Sequence, residues 1–254
     1  MTRLVVFTVA AGLIIVCAPL LVTHDPYRAD VGRIFSPPST EHWWGTDHLG
    51  RDLWSRWILG AHNTLLLMAG AGVIAISGGV ALGVVVGSQR GHIGRLGRGL
   101  LSGLLAFPPV IMALLIAAPL PRGLLTIAIA AGIGQMAALA HVVAAETERI
   151  LASEYQQASR ALGAGWWHTM RNCVLLNLES TFRAVLPLTV AYSLLTASTL
   201  SFLGLGDRPD MAEWGALLAE SRFYFRDIPI SAIAPGLGLL VVMLGLQWLA
   251  RRSG

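Results

Sequence analysis

L-L-L-M-A-G-A-G-V-I-A-I-S-G-G-V-A-L-G-V-V-V-G, residues 65–87, runs for twenty-three positions without a charged side chain. A helix rises about 1.5 Å per residue, so this run is roughly 35 Å long, enough to cross the ~30 Å hydrocarbon core of a bilayer. Within it Gly79, Gly83 and Gly87 recur every four residues, on one helical face. Small residues at that spacing let a second helix come close, so the face is read as a packing surface.

The rest of the 254-residue chain has the same character. It is 55% hydrophobic and 13% charged, where a soluble domain averages about 25% charged. Its mean hydropathy is +0.65. Five more runs of spanning length follow from the same criterion, at residues 4–22, 100–120, 124–145, 185–205 and 230–250. The expected fold is an all-α integral membrane protein of six spans. The first run is read as a retained anchor. It is long for the apolar region of a signal peptide, and Pro19 and Leu20 stand where small residues would mark cleavage. Residues 1–64 are therefore expected to form an anchor helix and an elbow, and residues 65–254 the main transmembrane domain.

All 18 basic residues are arginine. A chain without lysine has no phosphate-binding-loop lysine and no Schiff-base lysine. Cys17 and Cys173 match no metal spacing. The net charge of +4 is not arranged as a basic stripe with interleaved aromatics, so no nucleic-acid partner is expected. With both termini in the cytoplasm, the inner segments hold ten arginines and four acids, the outer ones eight arginines and ten acids. The 90–98 segment and Arg251–Arg252 directly flank spans and set the orientation. The eight tryptophans fall in loops or near span ends, where indoles suit the headgroup layer.

Thr189, Tyr192, Thr196 and Thr199 share one face of the fifth run, with Ser193 beside them. Such a stripe must face protein or a water-filled path. Hydrogen bonding between helices and lining of a translocation path both satisfy that demand.

The longest inner loop, residues 146–184, contains E-Y-Q-Q-A-S-R-A-L-G-A-G-W-W-H-T-M-R-N-C-V-L-L-N from Glu154 to Asn177. Alanines and long side chains favour a first helix, Gly163 and Gly165 break it, and a second helix over about 166–175 returns to the membrane. The reading is a helix–turn–helix under the bundle, with a small-residue face suited to docking.

One further stretch, W-W-G-T-D-H-L-G-R-D-L-W-S-R from Trp43 to Arg56, concentrates charge in an otherwise apolar chain. His42, Asp47, His48 and Asp52 invite a metal or acid–base reading, but no tight ligand spacing forms. The preferred reading is a turn at Gly45-Thr46-Asp47 that opens a short helix capped by Thr46 or Asp47. Asp47–Arg51 and Asp52–Arg56 are then acid-before-base pairs four apart.

These motifs carry a family resemblance. G-T-D-H-L-G-R-D-L-W-S-R, with Gly45, Thr46, Asp47, Gly50, Arg51 and Asp52, is similar to the G-T-D-x-x-G-R-D-x-x-S-R signature of oligopeptide, dipeptide and nickel importer permeases. Ala106-Phe107-Pro108, the S-F-L-G-L-G of residues 201–206, Trp214-Gly215 and Pro235-Gly236 follow in that family's order. The inner loop resembles the E-A-A…G motif of ABC importer permeases. Gln157, Ala158 and Ser159 stand at E-A-A, Gly163 at the glycine, and Leu176 where the family has proline. The family's G-D-x-L-R-D-x-L-D-P motif is not found in residues 244–254.

The resemblance implies a type I ABC importer permease of the second-subunit type, in a bacterial cytoplasmic membrane. It implies a second, different permease, cytosolic ATP-binding cassette subunits that hold ATP and magnesium, and an extracytoplasmic binding protein. Glu154, Gln157, Ala158, Ser159 and Gly163 would form the ATPase-coupling element. No cofactor is expected on this chain, and no catalysis. G-x-S-x-G, H-E-x-x-H and paired carboxylates within spans are absent from the sequence. His141 lacks a partner residue that would mark a site. A secondary transporter would need a membrane-embedded charge or broken helices for its coupling ion.

Overall fold

A computed structural model describes residues 17–89, 91–206 and 211–251. Most of the first expected span lies outside the described residues, as do Arg3, Arg90 and Arg252 of the charge count, and Asp207, Arg208 and Asp210. The described chain is helical: α1 (Leu53–Ser88), α2 (Gly91–Leu105), α3 (Pro109–Ala117), α4 (Leu124–Ala152), α5 (Glu154–Ala161), α6 (166–177), α7 (Glu179–Leu200), α8 (Trp214–Ser221) and α9 (Ile230–Arg251). The middle of α6 and the extension of α7 through Ser201–Leu205 are π-helical.

Helices α1, α4, α7 with its extension, and α9 are long and apolar enough to cross a membrane. The third expected span, 100–120, is not one straight helix. Helices α2 and α3 meet at 90° across Ala106-Phe107-Pro108. Pro108 and Pro109 lack backbone N–H groups, and a residue before proline is pushed out of the helical region, so the ladder cannot continue through them. Counted as one broken span, the pair makes five.

Three other boundaries differ from the sequence expectation. Helix α1 begins at Leu53, twelve residues before the apolar run, and runs through the division expected between residues 64 and 65. Arg95 and Arg98 lie within α2, not in a connecting loop. Helix α4 continues to Ala152, well into the loop expected from residue 146. In each case a hydrogen-bonded helix extends beyond the greasy run, because hydropathy reports the bilayer and not the end of the backbone ladder.

The two ends of the bundle are distinct. One holds residues 17–52, α8 and the start of α9, and is called the elbow end. The other holds α5 and α6, and is called the loop end.

Helices α1 and α4 form the most extensive contact in the molecule, and the glycine face explains it. A methyl group at Gly79 would meet Leu139, one at Gly83 would lie 2.6 Å from Val143 Cβ and 2.7 Å from the Ala140 carbonyl oxygen, and one at Gly87 would lie 2.4 Å from the Ala144 carbonyl oxygen. From the other side Gly132 sits on the Ala71 carbonyl and Ile74. The packing reading of Gly79, Gly83 and Gly87 therefore holds. Helix α7 packs on both α1 and α4, and α9 on α7. A polar tie joins α7 to α4 directly: Gln135 Nε2 donates to Thr196 Oγ1 at 2.9 Å, with both side chains buried.

Overpacking a fitted contact costs about 1–3 kcal/mol. Gly83→Ala should lower the thermal stability of the purified protein by that order. Gly103→Ala, on α2 where an added methyl meets open space, should leave it equal or slightly higher, because alanine favours helix by up to about 1 kcal/mol. Equal melting temperatures for the two variants would show that α1 and α4 do not depend on the close approach.

Candidate functional site

The elbow is built as a charged clasp. Gly50 has φ +76°, in the left-handed region, and a Cβ there would fall on the Asp30 carbonyl, so only glycine closes this turn. Thr46 pairs with Asp52 as an isolated antiparallel bridge. Its hydroxyl donates to the Arg33 carbonyl and accepts from the Ser36 N–H. Asp52 is the N-cap of α1, with Oδ2 accepting from the Ser55 N–H at 2.8 Å. The sequence expectation that Thr46 or Asp47 caps the helix is corrected here, because the chain stays in a turn until Asp52.

The expected pairings are half right. Asp47 Oδ2 does accept from Arg51 Nε at 2.7 Å, but across a turn and not along a helix. Arg56 pairs with Asp47 and Glu220, while Asp52 Oδ1 meets His42 Nδ1 at 2.9 Å. Glu220, on α8, receives Arg51 and Arg56 together, with His48 Nε2 at 3.4 Å. Arg51 and Arg56 are 2% and 1% exposed, and Asp47 is buried too. Two buried guanidiniums thus face two carboxylates, Asp47 buried and Glu220 half-buried. Burial alone raises the Asp47 carboxyl, but the charges of Arg56 and Arg51 and the N–H groups of Arg51 and Leu49 outweigh it and hold it below the usual aspartate range. A depressed carboxylate stabilises the fold above its ordinary titration and loses that contribution only as pH falls through the lowered value. Asp47 therefore keeps its charge, and its pairing with the two guanidiniums, below the usual aspartate range.

Tryptophans reinforce the same corner. Trp44 packs edge-on against Trp54 at 4.9 Å, and Trp57 lies 5.7 Å from Trp214. Trp214 is buried and donates from Nε1 to the Trp57 carbonyl. It is a core residue of the elbow end, not the interfacial anchor expected from its place near a span. Beside it Glu213 is fully buried. Its carboxylate caps α8 through the Ala216 N–H at 3.0 Å and accepts from Thr64 of α1 at 3.1 Å.

At the loop end, α5 projects from the bundle. Glu154, Gln157 and Ala158 are exposed and Ser159 half-buried. The helix ends in a C-terminal capping motif. Gly163 has φ +91°, and the Ala164 N–H reaches back to the Ser159 carbonyl at 3.1 Å. Gln156, buried, donates from Nε2 to Thr169 Oγ1 of α6 at 2.9 Å and holds the two short helices together. Tyr155, Leu162, Trp166 and Trp167 stand out as an apolar crest, Leu162 at 90% exposed.

The polar stripe of α7 divides. Thr189, Ser193 and Thr196 are buried, Thr196 in the bond to Gln135, whereas Tyr192 is half exposed and Thr199 partly so. The two Thr hydroxyls at 189 and 199 bond back to the Val185 and Leu195 carbonyls.

Glu213, Glu220, Gln135 and Gln156 were not singled out by sequence reasoning. Their partners lie in other elements, and the only local signal is Glu213 directly before Trp214-Gly215, at an N-cap position. Removing one member of a buried ion network leaves a charge uncompensated, at about 3–5 kcal/mol. Glu220→Gln should destabilise the purified protein by that order in thermal unfolding. A loss under about 1 kcal/mol, the range of exposed ion pairs, would show that Arg51 and Arg56 need no partner on α8.

Comparison with known proteins places this geometry. Residues 79–253 match the family described as binding-protein-dependent transport system inner membrane component. The chain is 31% identical over 237 residues to the probable D,D-dipeptide transport system permease protein DdpC of Escherichia coli (strain K12), covering 92% of this chain and 79% of that one. It is 30% identical over 249 residues to the glutathione transport system permease protein GsiD of Pectobacterium atrosepticum, with 95% and 83% covered. It is 34% identical over 244 residues to the di/tripeptide transport system permease protein DppC of Pseudomonas aeruginosa, with 92% and 80% covered. A solved chain from an amino acid ABC transporter with histidines shares the fold at TM-score 0.52 and 18% identity, covering 78% of this chain and 94% of that one. The chain therefore belongs to the binding-protein-dependent transport system inner membrane component family, as a multi-pass, non-catalytic ABC permease subunit of the oligopeptide/dipeptide type with the type I permease fold.

Proposed function

We propose that this subunit forms half of a pathway that imports short peptides across a bacterial cytoplasmic membrane, and that α5 transmits the work of a cytosolic ATPase to the bundle. The observation that carries the coupling reading is the exposed crest of Tyr155, Leu162, Trp166 and Trp167 around α5, closed by Gly163 in the left-handed region. A short amphipathic helix outside the bundle, with small residues Ala158 and Ser159 beside an exposed apolar edge, suits insertion into a cleft of a soluble partner. ATP and magnesium would be held by that partner, since this chain has no lysine for a phosphate-binding loop. Peptide cargo is favoured because the relatives are named for dipeptides, di/tripeptides and glutathione, itself a tripeptide. Nickel and metal chelates, the other cargo class expected from the signature, have no comparable support among these relatives.

The orientation with both termini in the cytoplasm gains support from burial. Arg51 and Arg56 are withdrawn into the clasp, so the arginine excess available to a membrane surface lies at the loop end. The elbow end would then meet an extracytoplasmic binding protein. A second, different permease would complete the path, with Tyr192 and Thr199 on the exposed face of α7 turned toward it. Transport needs two packings of the pair, which ATP and substrate bias differently. The expected division at residues 64 and 65 then separates an anchoring and elbow region from the permease domain by role, with α1 shared between them.

Two variants test the two parts. A left-handed backbone costs a non-glycine residue about 1–2 kcal/mol, and space is open at Gly163. Gly163→Leu should therefore abolish ATPase recruitment and peptide uptake while membrane insertion and melting temperature stay near wild type. Retained recruitment and uptake would refute the assignment of α5. Tyr192→Ala should alter the Km or selectivity of peptide uptake with ATPase recruitment intact, and unchanged kinetics would remove α7 from the path.

A further inference from the structure

Apart from the clasp itself, the elbow carries a second polar constellation. His24, Glu41 and His42 each place one ligand-type atom within 4.8 Å of the other two. The two imidazole rings lie 4.7 Å apart between centroids. Each ring has its Nδ1 already engaged: His42 Nδ1 with Asp52 Oδ1 at 2.9 Å, His24 Nδ1 with Thr23 Oγ1 at 3.1 Å. Asp52 is held rigidly, because its other oxygen caps α1 and its side chain is 1% exposed. A buried carboxylate that accepts a hydrogen bond from the Nδ1–H of a histidine fixes the tautomer and leaves Nε2 with its lone pair free to meet a cation.

What occupies that lone pair is informative. Arg33 Nη1 lies 3.0 Å from His42 Nε2 and 2.7 Å from Glu41 Oε1. A cation therefore already sits between two of the three groups. Arg33 is bound loosely: its side chain is 42% exposed, Glu41 is 57% exposed, and Asp30 stands 3.6 Å from Arg33 Nε as an alternative partner. Exposed pairs of this kind are weak.

We propose that His24, Glu41 and His42 bind a divalent transition-metal ion of the zinc class, with Asp52 as orienting carboxylate and Arg33 as a built-in competitor that swings toward Asp30. Two imidazoles and one carboxylate are the ligand set such ions take, with a fourth position left for water. Magnesium and calcium, which require oxygen ligands, do not fit. Ligand atoms around tetrahedral zinc lie about 3.4 Å apart, so the three groups close by little more than an ångström. The exposed position of Glu41 and the partial exposure of His24 allow it. The neighbouring trio of Asp47, His48 and Glu220 is unsuited, since its two acids already hold two buried guanidiniums. A bound ion would cross-link residue 24, whose N–H is held by Ser55 at the start of α1, to the loop at residues 41–42. The site stands apart from the bundle interior and does not depend on the import reading.

The test uses the full-length chain purified in detergent or within its transport complex, free of any polyhistidine tag, titrated with zinc chloride against a chromogenic zinc chelator. About one zinc ion per chain should bind, and His24→Ala and Glu41→Gln should each weaken that binding roughly tenfold or more. Arg33→Gln should tighten it, an effect that a merely structural role for Arg33 does not produce. Zinc should also raise the melting temperature of wild type and not of His24→Ala. Wild-type protein that binds no zinc across the micromolar range would overturn the proposal. So would His24→Ala and Glu41→Gln binding like wild type, or Arg33→Gln binding more weakly than it. The ligand variants chosen are not fully buried, so their folding is checked by tryptophan emission from the elbow cluster before titration.

Discussion

The close approach of α1 and α4 is the constraint on which the rest of the bundle depends. Lipid tails are as apolar as leucine, so two membrane helices gain little by hiding from their surroundings. They gain by contact, and contact requires that backbones come near. Gly79, Gly83 and Gly87 on one helix, with Gly132 on the other, remove the side chains that would hold them apart. Leu139, Val143 and Ala144 then lie directly on the α1 backbone. Helix α7 seats on the platform this pair creates, α3 packs against α4 and α7, and α9 against α7. The buried Gln135–Thr196 bond adds direction to an interface that dispersion alone leaves free to slide.

The two ends of this bundle are held in different ways. At the elbow end, buried Arg51, Arg56 and Asp47 pair with one another and with half-buried Glu220, and Glu213 ties α8 to α1. A buried charge network is costly to break, because any one departure strands the others. At the loop end, α5 is tied to α6 through one buried glutamine, and its apolar crest faces outward. Local stability follows contact density. The architecture therefore concentrates rigidity at one face and leaves an adaptable, adhesive element at the other. That asymmetry suits the proposed role, in which a soluble partner moves α5 and the elbow keeps the outer ends of the helices in register.

The arrangement of polar residues on α7 shows how far one-dimensional reasoning reaches. Thr189, Tyr192, Thr196 and Thr199 do share a face by periodicity. Yet the boundary between protein and the open surface cuts through that face, so Thr196 is consumed by Gln135 while Tyr192 remains outside. Likewise Asp52 and Arg56 have the spacing of a helical ion pair, but the helix begins at Leu53, so Asp52 becomes its cap. Local spacing offers candidate partners, and three-dimensional competition selects among them.

The amino-acid sequence by itself determined that the chain is a polytopic helical membrane protein. Runs of apolar residues longer than a bilayer core allow little else, because only intrahelical bonds satisfy the backbone in lipid. The glycine spacing, the turn glycine at 163 and the family motifs were equally local and equally legible. The tertiary structure alone decided the rest: the Gln135–Thr196 bond between α4 and α7, the burial of Trp214 and Glu213, and the meeting of Arg51 with Glu220 across 169 positions of chain. The physical reason is common to all three. Hydropathy and periodicity describe how each segment meets its solvent, whereas burial and charge pairing depend on which other segment arrives beside it.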